Sequence, residues 1–154
     1  MKVYIVRHGQ VPHNALKQYN TSDEDLNELG ININNNKIIF DDRLKERSCG
    51  DLSGKSLEVT NREEYWNYNT SLQYGTSENI KLFFERVYNF LDELKTKDYK
   101  NALIVAHSGV SKAFNGYFNG INEGRFLNRG LKNCEIKEYE LWTSIWWKHK
   151  YCSC

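Results

Sequence analysis

Two short apolar runs, each ending in a histidine, constrain this chain more than anything else in it. Lys2–Gly9 reads KVYIVRHG and Ala102–Gly109 reads ALIVAHSG. In the first, Val3, Tyr4, Ile5 and Val6 form an almost continuous apolar segment, the pattern of a strand covered on both faces. It stops abruptly at Arg7, His8 and Gly9. In the second, Ala102–Ala106 is again apolar, His107 stands at its end, and Ser108-Gly109 opens a candidate helix. Ligands of open α/β sheets bind beyond the carboxyl ends of the strands. One strand-end histidine is usually structural. Two that converge on one edge of one sheet, one of them beside an arginine, make a site.

The intervening chain has room for the rest of an α/β domain. Gln10–Tyr19 holds the lone Pro12 and reads as a surface loop over the site. Asp25 and Glu28 can cap a helix start within Thr21–Gly30, and ININNN over 31–36 is a connector. Lys37–Phe40 is a short strand candidate that leads into a charged, glycine-punctuated loop, Asp41–Gly54. Glu63–Trp66 can begin a helix and Leu72–Thr76 is loop. The spacing of Ile80, Phe83, Val87, Phe90, Leu91 and Leu94 predicts a helix over Glu78–Lys95, with Ser77 as its N-cap and Glu85, Arg86, Asp92 and Glu93 outermost. Asn101–Ala106 is a strand and Val110–Phe118 the helix after it. Asn119–Gly130 is irregular, Asn133–Trp142 fits a strand, and the aromatic Ser144–Tyr151 fits an edge strand.

Composition narrows the functional classes. The 154 residues suit one domain over 1–154 with a sizeable core. Twenty-one basic and 20 acidic residues leave a formal charge of +1, so nothing favours a nucleic-acid partner and any anion site must be local. No apolar run approaches membrane-spanning length and no signal segment is evident, so a cytoplasmic protein with no membrane partner is expected. Cys49, Cys134, Cys152 and Cys154 form no C-x-x-C pair and read as reduced thiols. The terminal cysteines with His149 read as a polar tail, His13 as a surface histidine, and no metal site or cofactor is expected.

R-H-G after an N-terminal strand, with a second H-[GS]-G late in the chain, resembles the histidine phosphatase (phosphoglycerate-mutase-like) superfamily. Asn14 falls at the asparagine of R-H-G-x-x-x-x-N. Leu44–Gly54, LKERSCGDLSG, is similar to the L-x-E-R-x-x-G-x-L-x-G segment, and Gly75-Thr76-Ser77 with Arg86-Val87 resembles a degraded G-E-S…R-V element. The resemblance implies a three-layer α/β/α sandwich with a mostly parallel central sheet. It also implies a phosphatase that passes through phosphohistidine, acts on a small phosphorylated substrate and needs no metal.

The roles implied by the resemblance agree with what these side chains can do. A neutral imidazole attacks phosphorus and splits one hard transfer into two easier ones; His8 is the implied nucleophile. Arg7 offers paired donors matched to phosphate oxygens, and Gly9 lets backbone approach closely. Arg7, Asn14 and His107 would hold the phosphoryl group, helped by a backbone N–H near Ser108 at the helix start. Glu46 would protonate the leaving oxygen and then activate water, for which a raised pKa would suit it. Arg47 would reach the substrate or its phosphate.

One departure matters most. Only Ile31–Asp42 bridges a gap where the family carries a further strand, the rest of a helix, and an S-x-x-x-R-A-x-x-T-like segment whose arginine is a principal phosphate ligand. That arginine has no counterpart here, unless Arg43 or Arg47 leans in. Val11 and Thr76 replace a threonine and a glutamate of the family pattern. The shortened sheet invites an exposed edge and hence a homodimer. Two alternatives to the phosphatase follow: a non-catalytic or impaired phosphate-binding relative, and a phosphoglycerate-mutase-type phosphotransferase.

Overall fold

The computed structural model describes residues 1–9, 16–19, 38–70, 72–121 and 130–142. The chain has the expected α/β fold. Its elements, in order, are β1 (Lys2–Arg7), a four-residue helix α1 (Arg62–Tyr65), α2 (Ile80–Leu94), β2 (Asn101–Ala106), α3 (Ser108–Asn119) and β3 (Ile136–Glu140). Among the described residues β1 is the middle strand, with β2 parallel on one side and β3 antiparallel on the other.

The apolar runs form strands, and their alternation selects one covered face. Val3, Ile5, Ile104, Ala106 and Tyr139 turn into a core shared with α2 and α3. The opposite face is less enclosed: Leu103 is 54% exposed and Ile136 56%. The expectation of a strand covered on both faces holds fully for only one face of β1, where Val3 and Ile5 are buried while Tyr4 and Val6 are partly buried, because a run of apolar residues specifies a strand without specifying what lies on each side.

Helix α2 runs along most of the predicted stripe: Ile80, Phe83, Val87, Leu91 and Leu94 are buried, Phe84 joins them, and Phe90 is only partly buried. Its cap is Asn79, whose side chain accepts from Lys81 N–H, and not Ser77. Ser77 is fully buried and its hydroxyl instead accepts from Tyr74 N–H at 3.2 Å. Helix α3 drives Val110, Ala113 and Phe114 into the same core, and Phe118 stacks on Tyr139 of β3 with ring centroids 4.3 Å apart.

Two other expectations are corrected. Residues 38–40 form no strand, and Ile39 and Phe40 are exposed; among the described residues they have no sheet neighbour, and three apolar side chains cannot by themselves hold an extended ladder. Tyr19 is not a surface residue: it is buried, and its hydroxyl bonds Thr60 Oγ1 at 2.5 Å. The helix expected within 21–30 and the edge strand over 144–151 fall outside the described residues, as do His13, His149, Cys152 and Cys154.

Candidate active site

Strand register creates the site. Residues 2–7 pair in parallel with 101–106, so that Arg7 lies opposite Ala106. His8 N–H extends the ladder by one bond, to the Ala106 carbonyl at 3.0 Å. The next side chain of each strand is then a histidine, and the two emerge side by side. The His8 and His107 ring centroids are 4.4 Å apart with the planes at 66°. His8 is buried, and His107 is the N-cap of α3.

Burial lowers the pKa of His8 below its usual 6.5, and the nearby His107 and Arg7 lower it further, against smaller opposite effects from backbone hydrogen bonding to Gly9 and from Glu46. The imidazole is thereby kept neutral, the form that can attack. Its Nδ1 is shut off from solvent, which leaves Nε2 as the reactive nitrogen. Arg7 is held by a bond from Nη1 to the Leu131 carbonyl at 3.0 Å.

Glu46 arrives from the loop after a short 3-10 turn, Asp42–Leu44. Its Oε1 accepts from Arg47 N–H and its Oε2 from Gly109 N–H, both at 2.9 Å. The second bond fixes the carboxylate on the first turn of α3, at the positive end of the helix. Gly109 is required there: a Cβ would run into Glu46 Oε1 and stand 2.7 Å from Trp66 Cη2.

Arg86 holds this loop in place. Its guanidinium donates to the carbonyls of Arg43, Lys45 and Glu46 and to both carboxylate oxygens of Glu78, at 2.7–3.0 Å. Glu78 in turn bonds the Ser48 backbone in both directions. Arg86 was expected on the solvated side of its helix; it is instead a positioning residue, because the charged loop it faces offers free carbonyls.

The two arginines considered as replacements for the missing one are occupied. Arg43 pairs with Asp41 at 2.6 Å and with Glu93 at 2.8 Å, over the ring of Phe90. Arg47 is 1% exposed. Its Nε donates to the Glu78 carbonyl, its Nη1 to the Tyr65 carbonyl, and its guanidinium carbon lies 4.0 Å from the Tyr65 ring centroid. Arg47 lines the cavity wall with one nitrogen, Nη2, unpartnered among the described residues. Asn14 falls outside the described residues.

These groups surround a cavity of about 680 Å³, lined by Arg7, His8, Glu46, Arg47, His107, Ser108 and Gly109, with Tyr65, Trp66, Lys17 and Arg62 also on its wall. Sequence reasoning missed one further residue there. Lys112, on α3, is 5% exposed and stands 4.4 Å over the Trp66 ring. Burial pushes its pKa down to about 8. Its signal was available: a lysine three residues after Gly109, within a helix stretch otherwise bound for the core.

Comparisons with known proteins bear on the fold and the family. The structure is similar to that of a mycobacterial glucosyl-3-phosphoglycerate phosphatase complexed with VO3, with TM-score 0.73 and 16% identity over 92% of this chain and 98% of that one. It is also similar to an α-ribazole phosphatase from Shigella flexneri (TM-score 0.68, 18% identity, 90% and 89% covered). A phosphoglycerate mutase from Thermus thermophilus is a third likeness (TM-score 0.67, 17% identity, 90% and 92% covered). These likenesses establish the fold. A Hydrogenobacter thermophilus protein provisionally named phosphoserine phosphatase 2 is 30% identical over 111 residues, 68% of this chain and 55% of the relative; the chain thus spans about half the length of that curated protein. The sequence model of the histidine phosphatase superfamily, branch 1, matches residues 32–152. The match begins downstream of Arg7 and His8, yet parallel pairing of β1 with β2 brings those residues to the matched half of the site, and the chain belongs to the histidine phosphatase superfamily.

Proposed function

We propose that the protein is a phosphomonoester hydrolase that works through a phosphohistidine on a small phosphorylated substrate. The observation that carries this reading is the His8–His107 pair at 4.4 Å, with Arg7 and the anchored Glu46 on the same cavity. Neutral His8 attacks phosphorus through Nε2 and forms a P–N bond as the P–O bond to the substrate breaks. The leaving oxygen takes a proton from Glu46. Water then attacks phosphorus, gives its proton to Glu46, and releases inorganic phosphate and free His8. Arg7, His107 and the α3 amino end would offset the charge of the transferring group. The route asks nothing of a metal.

Names of relatives span hydrolases and a mutase. Hydrolysis is preferred because phosphatases outnumber the mutase among these named relatives. The commitment of Arg43 and Arg47 to protein partners favours a second reading, a phosphate binder with little turnover. Metal-free hydrolysis of p-nitrophenyl phosphate by wild type beside His8→Ala separates the two. Activity lost in the variant, with a phosphohistidine trapped in wild type, supports the hydrolase. Phosphate binding without turnover in either protein overturns it in favour of the binder.

A further inference from the structure

Resting on that phosphoryl-transfer reading, we infer that Lys112 is a second phosphate-binding cation of this site and takes the place of the arginine that the shortened chain lacks. A phosphate monoester brings nearly two negative charges, and Arg7 alone does not match them. Arg43 is turned to Asp41 and Glu93, and Arg47 gives two of its nitrogens to backbone carbonyls. Lys112, like Arg47, lines the cavity that His8 and His107 enter, and it comes from the helix whose first turn holds Glu46.

Its surroundings suit a charge that faces an anion. Trp66 supports the ammonium with its ring face at 4.4 Å. Gly130 leaves room for the stem, since a Cβ there would stand 3.0 Å from Lys112 Cε. Burial destabilises the ammonium most; Arg62 and Arg7 add to that effect and Glu46 opposes it. A group under desolvation and two positive neighbours gains most when a dianion arrives between them. Lysine serves here as a compact point charge where a planar guanidinium is not demanded. The competing account is structural: a lysine stem filling space between Trp66 and Gly130, without contact to substrate.

The test is inorganic phosphate binding by titration calorimetry to wild type, Lys112→Met and Lys112→Arg, at pH 7 and pH 9.5, with melting temperature and p-nitrophenyl phosphate turnover recorded for each. Loss of one charged contact should weaken phosphate binding in Lys112→Met by about 10- to 100-fold, while Lys112→Arg should remain near wild type. Raising the pH should weaken wild type and leave Lys112→Arg unchanged, since the ammonium is present below about 8 and lost above it. The other groups facing Lys112 do not produce that difference. Arg7, Arg62 and Glu46 are present in both proteins, and burial pushes the Tyr65 phenol and the Cys49 thiol upward. Lys17 and the histidines are common to both proteins.

Unchanged phosphate affinity in folded Lys112→Met, or the same pH dependence in Lys112→Arg as in wild type, overturns the assignment. Should Lys112→Met fail to fold, the comparison of wild type with Lys112→Arg decides alone. Absence of turnover in wild type would defeat the hydrolase reading and leave the phosphate titrations to judge Lys112 separately.

Discussion

At the scale of single residues, His8 and Gly109 set the conditions for chemistry. Burial and the neighbouring His107 and Arg7 hold the His8 pKa below 6.5, so the folded protein binds fewer protons there than the unfolded chain does. The sign follows: stability from this group is complete above pH 6.5 and falls as the pH drops from that value through the lowered native pKa. The acid limb of kcat/KM should therefore lie below pH 6.5, as measured on p-nitrophenyl phosphate, and an acid limb above 6.5 would contradict a neutral buried nucleophile. Gly109→Ala should push Glu46 off the first turn of α3. Turnover of an alkyl phosphate, which needs its leaving oxygen protonated, should then drop about 100-fold, well beyond the drop with the nitrophenyl ester; equal losses on the two would remove Glu46 from the role of acid.

At the scale of elements, the loop that carries Glu46 has little regular structure of its own and depends on α2. Five hydrogen bonds from Arg86 gather its carbonyls and the Glu78 carboxylate into one knot. Removing that guanidinium strands several partly buried acceptors. Arg86→Ala should cost about 2–3 kcal/mol of stability and should lower kcat even where the protein remains fully folded, because Glu46 loses its fixed approach. A urea melt paired with kinetics at low temperature checks both halves. By contrast, Asn79→Ala removes the cap of α2 and should cost about 1 kcal/mol with kcat unchanged per folded molecule.

At the scale of the whole molecule, the main core joins β1, β2 and β3 to α2 and α3, and the site stands at its edge, beyond the carboxyl ends of β1 and β2. Leu91 is fully buried in that core on α2 and is not among the residues that line the cavity. Leu91→Ala should destabilise the protein by about 2–5 kcal/mol through the void it leaves, seen as a lower melting temperature. Turnover per folded molecule should persist at low temperature, since no group that touches the cavity has moved. Among the described residues no helix is long and apolar enough to cross a membrane.

What the sequence determined by itself was local. The apolar runs ending at His8 and His107 specified strands with histidines at their carboxyl ends, and the six-residue stripe specified α2, because period and composition are properties of neighbouring residues. The resemblance of Leu44–Gly54 to a family segment singles out Glu46, which lines the same cavity as His8. Tertiary structure decided everything that depends on partners distant in the chain. It turned Arg86 from an expected surface residue into a clamp on backbone carbonyls, and it gave Arg47 two such carbonyls as partners on the cavity wall. It moved the α2 cap from Ser77 to Asn79 and left 38–40 without a strand to pair with. It also brought Lys112, unremarkable in a helix sequence, to the wall of the cavity that His8 and His107 line. The physical reason is common to all of them: a charged or polar side chain is directed by which unpaired donors, acceptors and ring faces folding places beside it, and a linear pattern contains no record of those.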